Sequence, residues 1–575
     1  MQNKIVLAVL GVLLLAGIVI IENQTSLFPL KNKLQSKVIP TAYLDQGQLG
    51  KVLKYMNLVH SEANDNTVLR ISDDTDRSIL RASLFPKNRK IGSYLYRANP
   101  GQAFGLPSST ALQTDKLAPG LPVISIAIDK EHLFNSKNGI ISNGKNKGEG
   151  WEKPGYLSYF TNNKLLFATG IGVRIHGRRE FPVSLDGPHG FRFYFRNDYG
   201  YPSVRSGTLF EQSSIQVSRV VARKDKGGFF INELSYDVAR QIGALVPLSN
   251  VALLYINGEN LGIHSVTEQV GRRQWQSRLG HNNFEFYRYK SKNDPKTNEL
   301  YKNLYWRWLG DTDHPISMEK AASKFDIDNL VRNLFTFMFL GTTDWAQGAL
   351  VLDRSRPSAR WHWVIWDLDH SFRDNYRTTS RKTWEQPAIN LVAKKANYNN
   401  WKRIYTHSRL RGKLFVRLLN DSKTFQSIFV RTVMDLLNHR LTNNYFSTLI
   451  EKHMNLATNL PNSDSIRNEL NERYRFLTNR PNFIRGQIVD FFNINGIHSV
   501  SLIASKKLPL QIDGYPEQTG YSGQYFHGST ISVRVKSPNK VRFWKVNGQK
   551  VFEDQLELHL YADTVIEPVV EITTN

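Results

Sequence analysis

Between Arg360 and Phe372 the chain reads RWHWVIWDLDHSF, a stretch that leaves little freedom in how it folds. Trp361, Trp363 and Ile365 alternate with His362, Val364 and Trp366, the pattern of a half-buried strand. The run ends on two carboxylates one residue apart, Asp367 and Asp369, both flanked by bulky side chains. Desolvating them is costly unless a positive partner meets them. Two readings fit. The aspartates cap the turn that follows the strand, or they form a pair of oxygen ligands for a hard cation such as Mg²⁺.

Other elements can be read on either side of this strand. VISIAID (123–129), GIGVRIHG (170–177) and GFRFYFR (190–196) have strand character. FINELSYDVARQIG sets Ile231, Leu234, Val238 and Ile242 at helical spacing, with Gly243 where a C-cap belongs. Asn257-Gly258 between two apolar runs is a hairpin signal. DIDNLVRNLFTFMFLGTTD sets Ile327, Leu330, Leu334, Phe337 and Met338 on one helical face and releases the chain at Asp344. From about 400 to 492 the pattern is mostly helical, interrupted at NLPNSDS; from Gly496 strands return as a small all-β domain. In that tail NGQK at 547–550 predicts a turn between strands, and Trp544 is expected to pack or bind. At 575 residues the chain is too long for one ordinary core. The expected division is 1–22, an apolar segment; 23–120, a tether and small pre-domain; 121–492, the main domain; and 496–575, the β tail.

The 75 basic residues outnumber the 50 acidic ones, for a net charge of +25, but they are scattered rather than blocked. Such a surface suits anionic polymers or membrane headgroups. No helix-turn-helix, zinc-finger or RNP-type motif accompanies it, which argues against sequence-specific nucleic-acid reading. The chain has no cysteine, which excludes disulfides, thiol nucleophiles, iron–sulfur clusters and cysteine zinc sites. His176 and His264 lack acidic neighbours at zinc-ligand spacing, so packing and hydrogen bonding are expected of them. Residues 5–21, IVLAVLGVLLLAGIVII, are 17 uncharged apolar residues with no small-residue cleavage site after them. This favours an uncleaved membrane anchor with the bulk of the chain outside the cytoplasm; the alternative is a cleaved signal and a secreted or periplasmic protein.

Five stretches in order, LPVISIAID…LFNSKNGI, GVRIHGRREFP, YINGENLGIHSVTEQV, GTTDWAQGALVLDR and WHWVIWDLDHSF, resemble the spore-coat-type CotH kinase family over about residues 121–430. The resemblance implies an α+β fold: a two-lobed, atypical protein-kinase-like domain holding ATP with Mg²⁺ or Mn²⁺, here between an N-terminal membrane segment and the β tail. It places Asp344 as the catalytic aspartate and Asp367 and Asp369 as the metal-coordinating pair. Glu268 falls on the family's hairpin-end glutamate, at the cleft wall or in a structural ion pair. Asp225 matches a recurring, structural aspartate, and Glu233 takes the place of a kinase αC glutamate.

Two departures stand out. The family's phosphate-pairing lysine falls on His189, with Arg192 retained, and a neutral histidine replaces an ammonium at pH 7 only if its pKa is raised. The metal-supporting asparagines fall on Gly348 and Ala349, leaving Gln347 as a neighbouring substitute. Two functions therefore stay open. One is an exported, membrane-anchored kinase-like enzyme acting on a protein acceptor. The other is a catalytically degraded scaffold of the cell envelope that binds a surface polymer or protein partner. A third reading treats the basic charge as a grip on polysaccharide or phospholipid.

Overall fold

The computed structural model describes residues 120–571, except 163, 178–189, 200, 211–214, 225–227, 258, 289–298, 301, 312, 343–347, 374–381, 390–405, 461, 504–507, 519 and 537–539. The apolar segment 5–21 and the expected pre-domain lie outside the described residues. The chain divides into two compact units: Met1–Glu233 with Pro247–Asn282 and His453–Arg467, and Leu234–Val246 with Asn283–Lys452 and Asn468–Asn575.

The first unit is built on a closed seven-stranded barrel. Its strands are β1 (Val123–Ile128), β2 (Lys153–Thr161), β3 (Lys164–His176), β4 (Gly190–Tyr194), β7 (Arg219–Arg223), β8 (Ser249–Ile256) and β9 (Glu259–Glu268). They pair in the order β1-β2-β3-β4-β7-β9-β8, while β5 (Val204–Arg205) and β6 (Gln216–Val217) form a small separate ribbon. All barrel neighbours are antiparallel except β1 and β8, whose parallel pairing closes the ring. Asn257 turns the β8–β9 hairpin at φ 53°, a left-handed conformation that asparagine tolerates. Its amide also exchanges hydrogen bonds with the Ile128 backbone, at 2.8 and 2.7 Å, tying the hairpin tip to the end of β1. Ile126, Leu157, Ile171, Phe191, Phe193 and Leu254 fill the interior.

The second unit starts from an antiparallel sheet of β10 (Phe284–Arg288), β11 (Ala349–Asp353) and β12 (Trp361–Val364). The helix Ile327–Leu340 follows its Asp326 N-cap and ends at Gly341 with φ 64°. The sequence predicts one apolar face for this helix. In the fold every residue but Asp328 and Arg332 is buried, because partners distant in the chain cover the other side. Helices Thr406–Asp421, Lys423–Asp435, Asn443–Ala457 and Ser463–Phe492 follow in the chain, with the stretch His453–Arg467 at the junction of the last two counted in the first unit. The NLPNSDS break falls between the last two of these.

The tail forms two sheets: one of β16 (Ser522–Phe526), β13 (Ile497–Leu502), β21 (Thr564–Val570), β18 (Val541–Val546) and β19 (Gln549–Val551), and one of β15 (Tyr515–Gln518), β14 (Pro509–Ile512), β17 (Thr530–Val535) and β20 (Gln555–His559), each in that order. Asn547 and Gly548, at φ 47° and 84°, turn β18 (Val541–Val546) into β19 (Gln549–Val551). Trp544 packs fully buried, its indole N–H donating to the Glu553 carbonyl at 2.8 Å. The tail also touches helical residues of its unit. Asn438 donates to the Gln524 carbonyl and accepts from its N–H, and His439 stacks on Tyr515 with ring centroids 4.5 Å apart.

Candidate functional site

The strand that leads to the paired aspartates is dry because both of its edges are occupied. On one side it pairs with β11. On the other, Asn329 imitates a strand: its side-chain oxygen accepts from the Trp363 N–H at 2.7 Å and its amide donates to the Trp363 carbonyl at 3.2 Å. Phe325 and Leu245 add parallel bridges to Trp361 and Val364. Trp363 is buried and stacked 4.9 Å from Phe325, which in turn lies 5.9 Å from Trp308. Trp366 lies past the strand's end, under the Arg288 guanidinium at 5.0 Å.

The turn beyond is held at several points. Asp367 adopts φ 68° and Phe372 φ 61°. Left-handed backbone costs about 1 kcal/mol or more for non-glycine residues, and it persists only where the surroundings over-determine it. Here they do. The Asp367 N–H donates to the Tyr236 hydroxyl at 2.9 Å, and the Leu368 carbonyl accepts from Ser371 Oγ at 2.8 Å and Ser235 Oγ at 3.4 Å. The Phe372 N–H donates to the Leu340 carbonyl at 3.0 Å, and its ring meets Phe476 edge-on at 5.2 Å. Asp369 is buried, with His370 Nε2 3.9 Å from its carboxylate, whereas Asp367 is half-buried. The two predicted metal ligands thus share one rigid turn. No cluster of three or more histidine or acidic side chains suited to a metal occurs among the described residues.

Asp344 and Gln347 lie outside the described residues, but both of their flanks are fixed. Upstream, the end of helix Ile327–Leu340 is gripped by Arg480. This fully buried guanidinium donates to the carbonyls of Met338, Phe339, Trp384 and Gln386 at 2.5–3.1 Å. Cations are favoured at helix C-termini, where the last carbonyls lack partners. Downstream, Gly348 and Ala349 occupy the places of the family's asparagines. A Cβ on Gly348 would stand 2.7 Å from the Val364 carbonyl oxygen, and Ala349 is buried in β11 opposite Val364. The substitution is therefore built into the β11–β12 packing, with no room for a longer side chain at 348.

The remaining predicted residues that are described belong to the first unit. Arg192 on β4 pairs across to β3, where its Nε donates to His176 Nδ1 at 2.8 Å. His189 and Asp225 lie outside the described residues. Glu268, at the end of β9, is buried; its carboxylate accepts from the Leu248 N–H at 2.9 Å and pairs with Arg278. Three residues earlier on β9, Ser265 donates to Glu233, also buried. His264 beside it packs 1% exposed, its Nδ1 against the Gly262 carbonyl at 2.9 Å, and burial pushes its pKa down to about 4. Sequence reasoning missed Tyr236, Asn329 and Arg480, which act across more than thirty positions and leave no local signature.

Residues 222–485 match the family described as CotH kinase protein, from within β7 through most of the last long helix. No curated protein matches the chain. Among solved structures it is similar to the Helicobacter pylori proinflammatory kinase CtkA, at 10% identity over 55% of this chain and 96% of that one, with a TM-score of 0.27. It is also similar to the Shewanella oneidensis MR-1 toxin–antitoxin HipA, HipB and operator DNA complex, at 11% identity over 56% of this chain and 69% of the matched one, with a TM-score of 0.26. Both likenesses are distant. The match to the CotH kinase family is thus confined to residues 222–485, a little under half of the 575-residue chain.

Proposed function

We propose that this protein binds a nucleotide together with a divalent cation and transfers a phosphoryl group to a protein acceptor. The observation that carries the reading is the Asp367–Asp369 turn: two carboxylates on a strained, multiply anchored backbone inside the CotH kinase region. Strain held in place by surrounding contacts is characteristic of functional sites. Mg²⁺ is commonly held by one or two carboxylates together with substrate phosphates, so the pair fits it without a third protein ligand. When bound, the cation would neutralise charge on the transferring phosphoryl group. Asp367 and Asp369 would hold it, and Asp344 would orient and accept the proton of the acceptor hydroxyl. Residues 5–21 would anchor the protein in a membrane with its bulk outside the cytoplasm.

Melting of the full chain with ATP, with and without Mg²⁺ or Mn²⁺, tests this reading. The parent should gain thermal stability only with both ligands, and Asp369→Asn should lose that gain. A parent that responds to neither ligand overturns the reading. One observation favours a second function, an envelope scaffold binding a polymer or protein partner: Gly348 is packed where an asparagine cannot enter. If Asp369→Asn and the parent are alike in every ligand condition, the scaffold reading stands.

A further inference from the structure

A concavity opens in the first unit, lined by Asn143, Lys147, Trp151, Arg174, Ile175 and Arg192 among others, with no carboxylate among the described residues of its wall. Its three cations are not equivalent. Arg174 is neutralised by Glu152 at 2.5 Å and lies 4.5 Å over the Tyr194 ring. Lys147 and Arg192 have no acidic partner among the described residues. Lys147 Nζ donates to the Gly144 and Gly177 carbonyls at 2.9 and 2.8 Å, which fixes the ammonium and leaves one of its three N–H bonds for a ligand. Among the described residues Arg192 uses only Nε, on His176, and its two terminal amino groups meet no partner there. The two charges act on each other: burial first, and then the Arg192 charge, hold Lys147 below the ordinary lysine range. Two neighbouring cations, held by neutral acceptors and aimed into one concavity, make a site for a dianion.

We propose that Lys147 and Arg192 form a diphosphate-binding position. Lys147 supplies a fixed ammonium, and Arg192 supplies two parallel N–H donors. The inference rests on the nucleotide reading for its natural ligand, the phosphate groups of a nucleoside di- or triphosphate. The site itself can be probed with inorganic pyrophosphate alone.

The experiment is isothermal titration of the full chain with inorganic pyrophosphate in the absence of metal, alongside the ATP–Mg²⁺ melting series. The parent should bind pyrophosphate. Lys147→Met should weaken that binding by about tenfold or more, the scale of one charge-assisted hydrogen bond, while Lys147→Arg keeps most of it. Should Lys147→Met fail to fold, Arg192→Gln carries the same expectation. A parent that does not bind pyrophosphate, or a Lys147→Met protein that binds it like the parent, overturns the proposal. If pyrophosphate binding depends on Lys147 but ATP with Mg²⁺ does not stabilise the parent, the diphosphate position stands and the nucleotide reading falls. If ATP with Mg²⁺ stabilises Lys147→Met as it does the parent, the nucleotide reading stands and the proposal falls.

Discussion

The two units differ in how they bury polar groups. In the barrel unit these buried groups meet partners two to thirty-two positions away: His264 against Gly262, Glu268 against Leu248, and Ser265 against Glu233 on the helix Ile231–Ile242. In the second unit the reach extends much further: Asn329 meets Trp363 thirty-four positions away, Tyr236 meets Asp367 at 131, and Arg480 meets a helix end 142 positions earlier. A sheet satisfies its own backbone, so the barrel needs few side-chain anchors. The irregular segments around the aspartate turn cannot do this, and long-range side chains take the place of the ladder. The segment that carries the candidate chemistry is thus the one most dependent on distant residues.

The strongest way to break this contrast is to remove Arg480. Its guanidinium satisfies four carbonyls in a site closed to water, so Arg480→Ala leaves them unpaired beside a cavity. The second unit should lose about 3–5 kcal/mol, read by denaturant unfolding or by hydrogen exchange of the helix Ile327–Leu340. A loss under about 1 kcal/mol would mean that the helix end is held by packing alone.

In the barrel unit the matching probe is pH. The His264 pKa is pushed down to about 4 from 6.5, chiefly by burial. The folded state therefore prefers the neutral ring. Above about pH 6.5 neither state is protonated there and stability is complete; as the pH falls toward 4 the unfolded chain takes up a proton that the fold refuses. The barrel should lose about 3 kcal/mol between pH 7 and pH 4, and His264→Leu should lose markedly less over the same range. Equal acid sensitivity in parent and variant would remove His264 as the cause.

How much of this was legible follows the same division. The β8–β9 hairpin, the tail hairpin at Asn547, and helices Ile231–Ile242 and Ile327–Leu340 rest on local signals, an Asn-Gly turn, a C-cap glycine or a helical stripe, and the sequence predicts them. The barrel's closure was not legible, because it depends on the parallel pairing of β1 with β8 across more than a hundred residues. At the candidate site the paired aspartates and the strand before them could be read from alternation alone. Their support could not, because neither Tyr236 nor Asn329 differs locally from an ordinary helix residue. The Gly348 departure was visible as a missing side chain, but its cause, the Val364 carbonyl, belongs to the neighbouring strand.

Gly348 gives a sharper test of whether the second unit's site can be returned to the family pattern. A Cβ there would sit 2.7 Å from backbone oxygen, which cannot rotate away as a side chain can. Gly348→Asn should cost about 2 kcal/mol and disturb the β11–β12 register, visible in the exchange rates of Leu350 and Trp363. An asparagine accepted at no cost would mean that the loop entering β11 can shift, and that the missing ligand is not enforced by packing.

The smallest expected effect has the opposite sign to that of His264. In the second unit Arg431 serves two carboxylates, Asp513 at 2.8 Å and Asp435 at 4.0 Å, and the Asp513 side chain is buried. Burial first pushes the Asp435 pKa from 3.8 up to about 6; the Arg431 charge opposes this and the Asp513 charge adds to it. The fold therefore prefers the neutral carboxyl. Its contribution is complete below about pH 4 and is lost as the pH rises to about 6, because over that range the unfolded chain has released a proton that the fold still holds. His439 and Arg332 also face Asp435 and favour its charged form, which limits the loss. Asp435→Asn should thus stabilise the second unit by about 1–2 kcal/mol at pH 7.5 and leave it nearly unchanged at pH 4.5. Acid would then weaken the barrel while relieving this cluster, so unfolding followed separately in each unit should show opposite slopes between pH 4 and pH 6. Parallel slopes, or an Asp435→Asn protein less stable than the parent at pH 7.5, would show that Arg431 holds Asp435 charged and that the two units do not differ in this respect.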